Sequence, residues 1–288
     1  MQYYSLNKYL RDTFGDKVYK LSLNAGFTCP NRDGKLGTKG CIFCSAGGSG
    51  DFAESSSLSI AQQIERGKER VSKKIKSGKY IAYFQAYTNT YAPVEILKSK
   101  YMEAVNHKDI VALSVATRPD CLGDDVLKLL DEINKIKPVF VELGLQTIHE
   151  RTARYIRRGY TLDVYDKAVS DLKKIGVNTV VHLILGLPGE TKQDMLDSVK
   201  YVCESGIDGI KLQLLHVLKN TDLEKDYAQG KFKTLEMDEY LDILKSCVDI
   251  IPDNIVIHRL TGDGAKKDLI SPLWSADKKK VLNAINKL

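Results

Sequence analysis

Short runs of β-branched and aromatic residues alternate with longer amphipathic stretches through most of the chain, a pattern that predicts repeated βα units on a parallel sheet. Six strand-like runs fall at 18–24, 80–87, 110–116, 139–145, 178–185 and 207–215. Apolar residues at helical spacing fill 58–77, 93–105, 123–135, 161–175 and 191–205, each long enough for the crossover that parallel strands require. Turn chemistry supports these boundaries: Gly176 stands where a helix C-cap belongs, and Thr191 with Asp194 forms a capping pair. The tail is less regular. A helix at 236–249, an apolar run at 255–257 and a Lys-rich helix at 277–287 are expected to close the sheet or cover its edge.

Composition narrows the class. With 288 residues and 43% hydrophobic content the chain can bury a full core, which argues against a disordered or fibrous protein. No stretch approaches the roughly 18 consecutive apolar residues of a membrane span, so a soluble protein is expected. The start, MQYYSLNKYL, lacks the layout of a secretory signal, and the six cysteines have no disulfide-framework spacing. Both point to the cytoplasm and a reducing compartment.

The net charge of +6 is concentrated at one end, because residues 1–80 hold 14 Lys or Arg against 7 Asp or Glu. A solvated helix face explains part of this: Ile60, Ile64, Val71 and Ile75 form a stripe, with Arg66, Lys68, Arg70, Lys73, Lys74 and Lys76 around it. A nucleic-acid patch is the competing reading.

The most informative segment follows the first strand: NAGFTCPNRDGKLGTKGCIFCSAGGSGDF, with Cys29, then Cys41 after eleven residues and Cys44 after two more. In βα sheets the loops after strand ends build the active-site face. The CxxC pair can put two thiolates on one metal centre, and Gly34, Gly37 and Gly40 let the loop fold back to deliver the third. Three ligands are one short of a closed zinc site. A [4Fe-4S] cluster on three thiolates has one iron open, where S-adenosylmethionine can bind through its amino and carboxylate groups. Zinc with a distant fourth ligand, or unrelated buried thiols, are the alternatives at this point.

In these residues the sequence resembles the radical S-adenosylmethionine superfamily. Within it the chain is similar to the branch with a lengthened first cysteine spacing, which includes the Elongator catalytic subunit and bacterial proteins that also begin YYSLNKYLRDTFG. The usual superfamily spacing is three residues where this chain has eleven. Further matches recur at strand ends: TRPD at Thr117 to Asp120, ELGLQT at Glu142 to Thr147, and HLILGLPGET on the fifth strand. The resemblance implies an α/β fold, a partial (β/α)6 TIM-like barrel with a short α-rich C-terminal extension. It covers a core of about 17–215, with the extension at 216–288, and 1–288 is read as one domain.

The same resemblance implies site residues. Gln146 and Arg158, twelve residues apart, match a pair that contacts S-adenosylmethionine in coproporphyrinogen-oxidising relatives. His182 stands where relatives often carry Asp, and Glu142 and Gln85 complete the cofactor-binding candidates. Gly186, Pro188 and Gly189 form a turn expected against the adenine. No Gly-Gly follows the second strand, where relatives place one for the methionyl amino group. Cys203 and Cys247 are expected to be buried apolar thiols, and Cys121 a passive one.

The implied chemistry is one-electron reductive cleavage of S-adenosylmethionine to a 5′-deoxyadenosyl radical, then hydrogen abstraction, with flavodoxin or ferredoxin as reductase donor. TRPD, the cysteine spacing and the basic first 80 residues favour transfer RNA as substrate, with a wobble uridine side chain as target. A small-molecule radical enzyme of cofactor metabolism and a noncatalytic metal-binding partner protein are the alternatives.

Overall fold

The computed structural model describes residues 2–48, 50, 53–73, 78–262, 264 and 266–288. In chain order the strands are β1 (Tyr19–Leu23), β2 (Tyr80–Phe84), β3 (Ile110–Thr117), β4 (Val139–Gln146), β5 (Asn178–Leu185), β6 (Gly209–Leu214), β7 (Val217–Leu218), β8 (Val256–Arg259) and β9 (Leu269–Ser271). The first six and β8 form one parallel sheet in the order β1-β2-β3-β4-β5-β6-β8, curled into a partial barrel, while β7 and β9 pair antiparallel. The helices are α1 (Leu6–Phe14), α2 (Ile60–Val71), α3 (Val94–Val105), α4 (Asp124–Asn134), α5 (Glu150–Tyr155), α6 (Leu162–Lys174), α7 (Lys192–Glu204), α8 (Asp222–Ala228), α9 (Met237–Asp249) and α10 (Lys278–Ile285). Among the described residues no helix is long and apolar enough to cross a membrane.

The six expected strands and the five crossover helices are all present. Thr191 and Asp194 form a reciprocal capping box on α7, and Gly176 takes a left-handed φ of 66° just beyond α6. Residues 74–77 of the expected 58–77 helix, including Lys74, Ile75 and Lys76 of its stripe, lie outside the described residues. Helix and sheet faces meet in a core containing Leu97, Leu113, Leu130, Leu172 and Val199, all essentially inaccessible. Strands buried on both sides cost few polar contacts only if their outer positions are apolar, which the β-branched runs satisfy.

The sheet differs in detail at β8 and at β2. Of the two expected roles for the apolar run at 255–257, it takes the first: most of it lies in β8, a seventh parallel strand that extends the sheet beside β6. β2 stops at Phe84, three residues before the expected end. Tyr87 adopts a left-handed φ of 60°, and its N–H bonds the carbonyl of Gly48 in the loop after β1. Backbone groups that would have extended the sheet hold that loop instead.

Helix α1 had no counterpart in the sequence-based reading. Ser5 caps it, accepting from the Lys8 N–H, and Gly15 ends it with a φ of 72°. The preceding Tyr4 carbonyl accepts from the Ile257 N–H, tying the N-terminal segment to the edge strand β8. Leu10 then packs with Val18, Ile81, Ala112, Phe140 and Val180, closing the end of the barrel where the strands begin. Leu10→Ala should therefore lower stability by about 2–4 kcal/mol, a Leu deletion in a site too confined to collapse, read as a lower urea midpoint at unchanged slope.

Candidate active site

The segment after β1 has little regular structure of its own, and its shape is set by backbone bonds to neighbouring strand ends. Thr88 N–H donates to the Thr28 carbonyl, and the Tyr87 hydroxyl donates to the Ala46 carbonyl at 2.6 Å. From the other side, the Asn31 side-chain amide donates to the Arg157 carbonyl at 2.7 Å, and Ile42 N–H donates to the Ile156 carbonyl. Arg32 turns inward, donating to the Cys44 and Ser45 carbonyls and lying over the Tyr87 ring. Gly48 has a φ of 57°, and a Cβ there would sit 2.3 Å from the Tyr87 ring, so only glycine fits.

These contacts bring Cys29, Cys41 and Cys44 to the wall of one cavity of about 770 Å³, which runs from the C-terminal ends of the strands down the inside of the sheet to Leu10 of α1. The Cys41 thiol is lowered to about 6, first by a hydrogen bond from Cys44 and then by the Arg118 guanidinium, the Asn31 amide and Arg32. Cys44 is raised correspondingly, by that same shared bond and by burial. Among the described residues, only Glu65, His107 and Asp109 bring three metal-ligating atoms within 4.8 Å of one another. The three cysteines are not so gathered in this structure, and a single ion would need each sulfur at about 2.3 Å. A polynuclear centre fits them better. The Glu65 group already has a cation, because the Lys68 ammonium bridges Glu65 and Asp109.

All five expected cofactor-binding residues line this same cavity: Gln85, Glu142, Gln146, Arg158 and His182. Gln146 ends β4 at a register shift against β5, with a φ of 73° that is costly for a residue bearing a Cβ. Its Oε1 is buried and has no hydrogen-bond partner. Arg158 is 2% exposed and uses three of its five N–H donors, on the Tyr160 and Thr147 carbonyls and on Glu150. The GLPG turn is not part of the cavity wall. Gly186 instead packs against the Leu235 side chain, a contact that joins residues far apart in sequence.

Glu142 and His182 lie deeper and bond each other. Glu142 is fully buried on the inner face, accepting from Lys20 and Ser114 on one oxygen and from His182 and Lys211 on the other. Burial alone would raise its pKa, but Lys20, then Lys211 and His182, outweigh that and hold it well below the usual range. Burial lowers His182 to about 4, aided by Lys211 and opposed by Glu142. The imidazole is neutral at pH 7, so its Nε2–H donates to the carboxylate. Burial also lowers Lys211 to about 7 against the pull of Glu142, while Tyr83, beside Lys211, is raised and His258 lowered, both first by burial.

Lys20, Tyr83, Lys211 and His258 escaped the sequence-based reading, although a signal was present. Lys20 with Ser22, Tyr83 with Gln85, and Lys211 with Gln213 each alternate with apolar neighbours, the period of a strand that is polar on one face only. Cys121, Cys203 and Cys247 stand apart from the cavity, and burial pushes each thiol up to about 12.

Comparison with known proteins adds an independent line. A family model described as the Radical SAM superfamily matches residues 28–202, and one described as the Radical_SAM C-terminal domain matches 207–288. The uncharacterized protein YtqA of Bacillus subtilis is 47% identical over 286 residues, covering 99% of this chain and 89% of that protein. A tRNA uridine(34) acetyltransferase of Methanocaldococcus jannaschii is 29% identical over 167 residues, 57% of this chain and 30% of that protein. Among solved structures, an archaeal Elp3 from Methanocaldococcus infernus aligns with a TM-score of 0.70 at 18% identity, covering 94% of this chain and 63% of the other. That last likeness concerns the fold.

The His182 environment gives a pH dependence. Between its ordinary 6.5 and about 4 the unfolded chain takes up a proton that the folded chain refuses, so stability falls as pH drops through this window. His182→Gln keeps a donor to Glu142 and removes the ionisation. Its loss of stability between pH 7 and pH 5 should be smaller than that of wild type by on the order of 2 kcal/mol, read from urea unfolding at the two pH values.

Proposed function

The chain belongs to the radical SAM superfamily, and from that we propose that it carries a [4Fe-4S] cluster on Cys29, Cys41 and Cys44, binds S-adenosylmethionine in the adjoining cavity and modifies transfer RNA, with a wobble uridine side chain as target. The observation that carries this reading is that three thiols and the unpartnered Gln146 carbonyl face one cavity. When bound, the two cofactors supply a 5′-deoxyadenosyl radical, with the electron coming from a reductase donor such as flavodoxin or ferredoxin.

The protein's own residues then have distinct tasks. A buried acceptor without a donor is costly, and the backbone strain at Gln146 adds to that cost, so a ligand hydroxyl or amine at Oε1 would relieve it. Gln85 adds a second amide on the wall. Arg158, with two donors uncommitted and three anchored, suits a carboxylate at fixed orientation. Glu142 and His182 we assign to holding Lys20 and Lys211 in place, not to touching the cofactor. Leu10 and α1 keep bulk water from the lower end, which protects a radical from quenching.

We read residues 1–288 as one catalytic unit, because β8 continues the sheet and Gly262 and Gly264 beyond it line the cavity. A cytoplasmic setting suits its six free thiols. The transfer-RNA substrate is supported by the likeness to a tRNA uridine(34) acetyltransferase and by exposed Lys35 and Lys39 on the cysteine loop. Arg32, although basic and in that loop, is committed to the loop's own carbonyls.

Anaerobic reconstitution with iron and sulfide should give brown, cluster-type absorption that Cys29→Ala, Cys41→Ala or Cys44→Ala abolishes. Cys121→Ala, Cys203→Ala and Cys247→Ala should load normally. Equal iron in the triple variant of the first three would reject the ligand assignment.

Transfer RNA should bind with an affinity that falls log-linearly with salt, and changing Lys35 and Lys39 together to Ala should reduce the slope by roughly 1–2. Salt-insensitive binding, with unchanged nucleoside mass spectra from a deletion strain, would point to a small-molecule substrate.

A further inference from the structure

The cavity wall is electrically lopsided. Eight lysine and arginine side chains line it, and among the described residues Glu142 is the one acidic group. Some of these charges are satisfied from outside the wall: Arg118 forms a fork with Asp120, and Arg158 pairs with Glu150. The floor is different. There Lys20 and Lys211 both depend on the single Glu142 carboxylate, and the neighbouring His182 and His258 rings are neutral. Arg259 is close enough to act on both Lys211 and His182. Two ammoniums on one buried carboxylate are unfavourable, which is why Lys211 gives up its proton easily, and an anionic ligand beside it would restore its charge.

The proposed cofactors do not supply that negative charge. Three thiolates on a dicationic cluster core leave about one negative charge, and S-adenosylmethionine carries about one positive charge, so the pair roughly cancels. The floor also lies away from the cysteines. Glu142 precedes Gln146 by four residues on β4, roughly 13 Å along the strand at about 3.3 Å per residue. Unused hydrogen-bonding capacity accompanies the charge. Each lysine ammonium has three donors and gives one to Glu142, Lys211 reaches the Tyr83 hydroxyl only at 3.4 Å, and His258 Nδ1 is buried without a partner.

We infer that this floor is a substrate subsite for an anionic group, with Lys20 and Lys211 receiving it and Glu142 holding both ammoniums in position. The inference rests on the radical-enzyme reading of the cavity and names a property of the substrate: the unit that enters carries its own negative charge on the part that reaches past Gln146 to the level of Glu142. A backbone phosphate would stay with the strand at the mouth, so in an RNA substrate the charge belongs to a substituent on the base. Lys20 and Lys211 are then specificity-determining residues, and Glu142 is a positioning residue.

The test uses the reconstituted holoprotein, with acetate and inorganic phosphate as probes against chloride at constant ionic strength. In wild type, acetate or phosphate should raise the thermal midpoint by 2 °C or more, and either should suppress the 5′-deoxyadenosine formation that total transfer RNA stimulates. Lys211→Met and Lys20→Met should lose the midpoint shift and at least tenfold of the stimulation, while their affinity for S-adenosylmethionine stays within twofold. Lys211→Arg should retain both responses, and Glu142→Gln combined with Lys211→Met guards against a single variant failing to fold. Unchanged probe responses in both Lys→Met variants would overturn the subsite. A parallel loss of S-adenosylmethionine affinity would also overturn it, by assigning the floor to the cofactor's carboxylate. If transfer RNA gives no stimulation in wild type but the lysine-dependent midpoint shift is present, the RNA reading fails and the anion subsite stands.

Discussion

The side-chain amide of Asn31 on the Arg157 carbonyl, with the Ile42 N–H on the Ile156 carbonyl, is the contact on which the site depends. The long segment after β1 cannot hold three cysteines in place through structure of its own. It is held between two fixed edges, the tail of β2 at Gln85 to Thr88 on one side and the turn after α5 on the other. Because the turn at Ile156 to Arg158 also carries the Arg158 guanidinium into the cavity, the thiols and the expected cofactor residues are positioned by one rigid joint. The Arg157 side chain pairs with Asp222 at the start of α8, so the C-terminal part of the chain braces the same joint.

Inside the barrel the energetics are set by a single carboxylate. A buried Glu is expensive, and Glu142 is tolerated because two lysines, a serine and a histidine satisfy it. The four partners come from β1, β6, β3 and β5, so the network clasps the inner face across most of the curl. Removing Glu142 would leave the Lys20 and Lys211 charges and the Ser114 and His182 donors without it, which costs more than the net worth of the bonds.

The chain ends contribute to the cavity more than their composition suggested. Helix α1 seals the end where the strands begin, and its approach strand bonds β8 through Tyr4 and Ile257. In turn β8 adds His258 and Arg259 to the inner wall. The extension is thus structural continuation of the barrel, and the site draws on residues from both ends of the sequence.

Much of this was legible from the residues alone, because local physics governs it. Alternation of β-branched runs with capped amphipathic stretches determined the strands and crossovers, and the spacing of Cys29, Cys41 and Cys44 marked the loop that the fold brings to the cavity. Gln146 and Arg158 were likewise marked by their motifs. Tertiary structure alone decided which polar side chains on the inner face would meet. Lys20, Glu142, His182 and Lys211 are as much as 191 residues apart in the chain, and a strand's period says only which face a side chain takes. It also decided that β2 would give up its last residues to the cysteine loop and that 255–257 would join the sheet. Backbone hydrogen bonds between strands carry no side-chain signature, so their partners emerge only when the curl of the sheet brings the ends together.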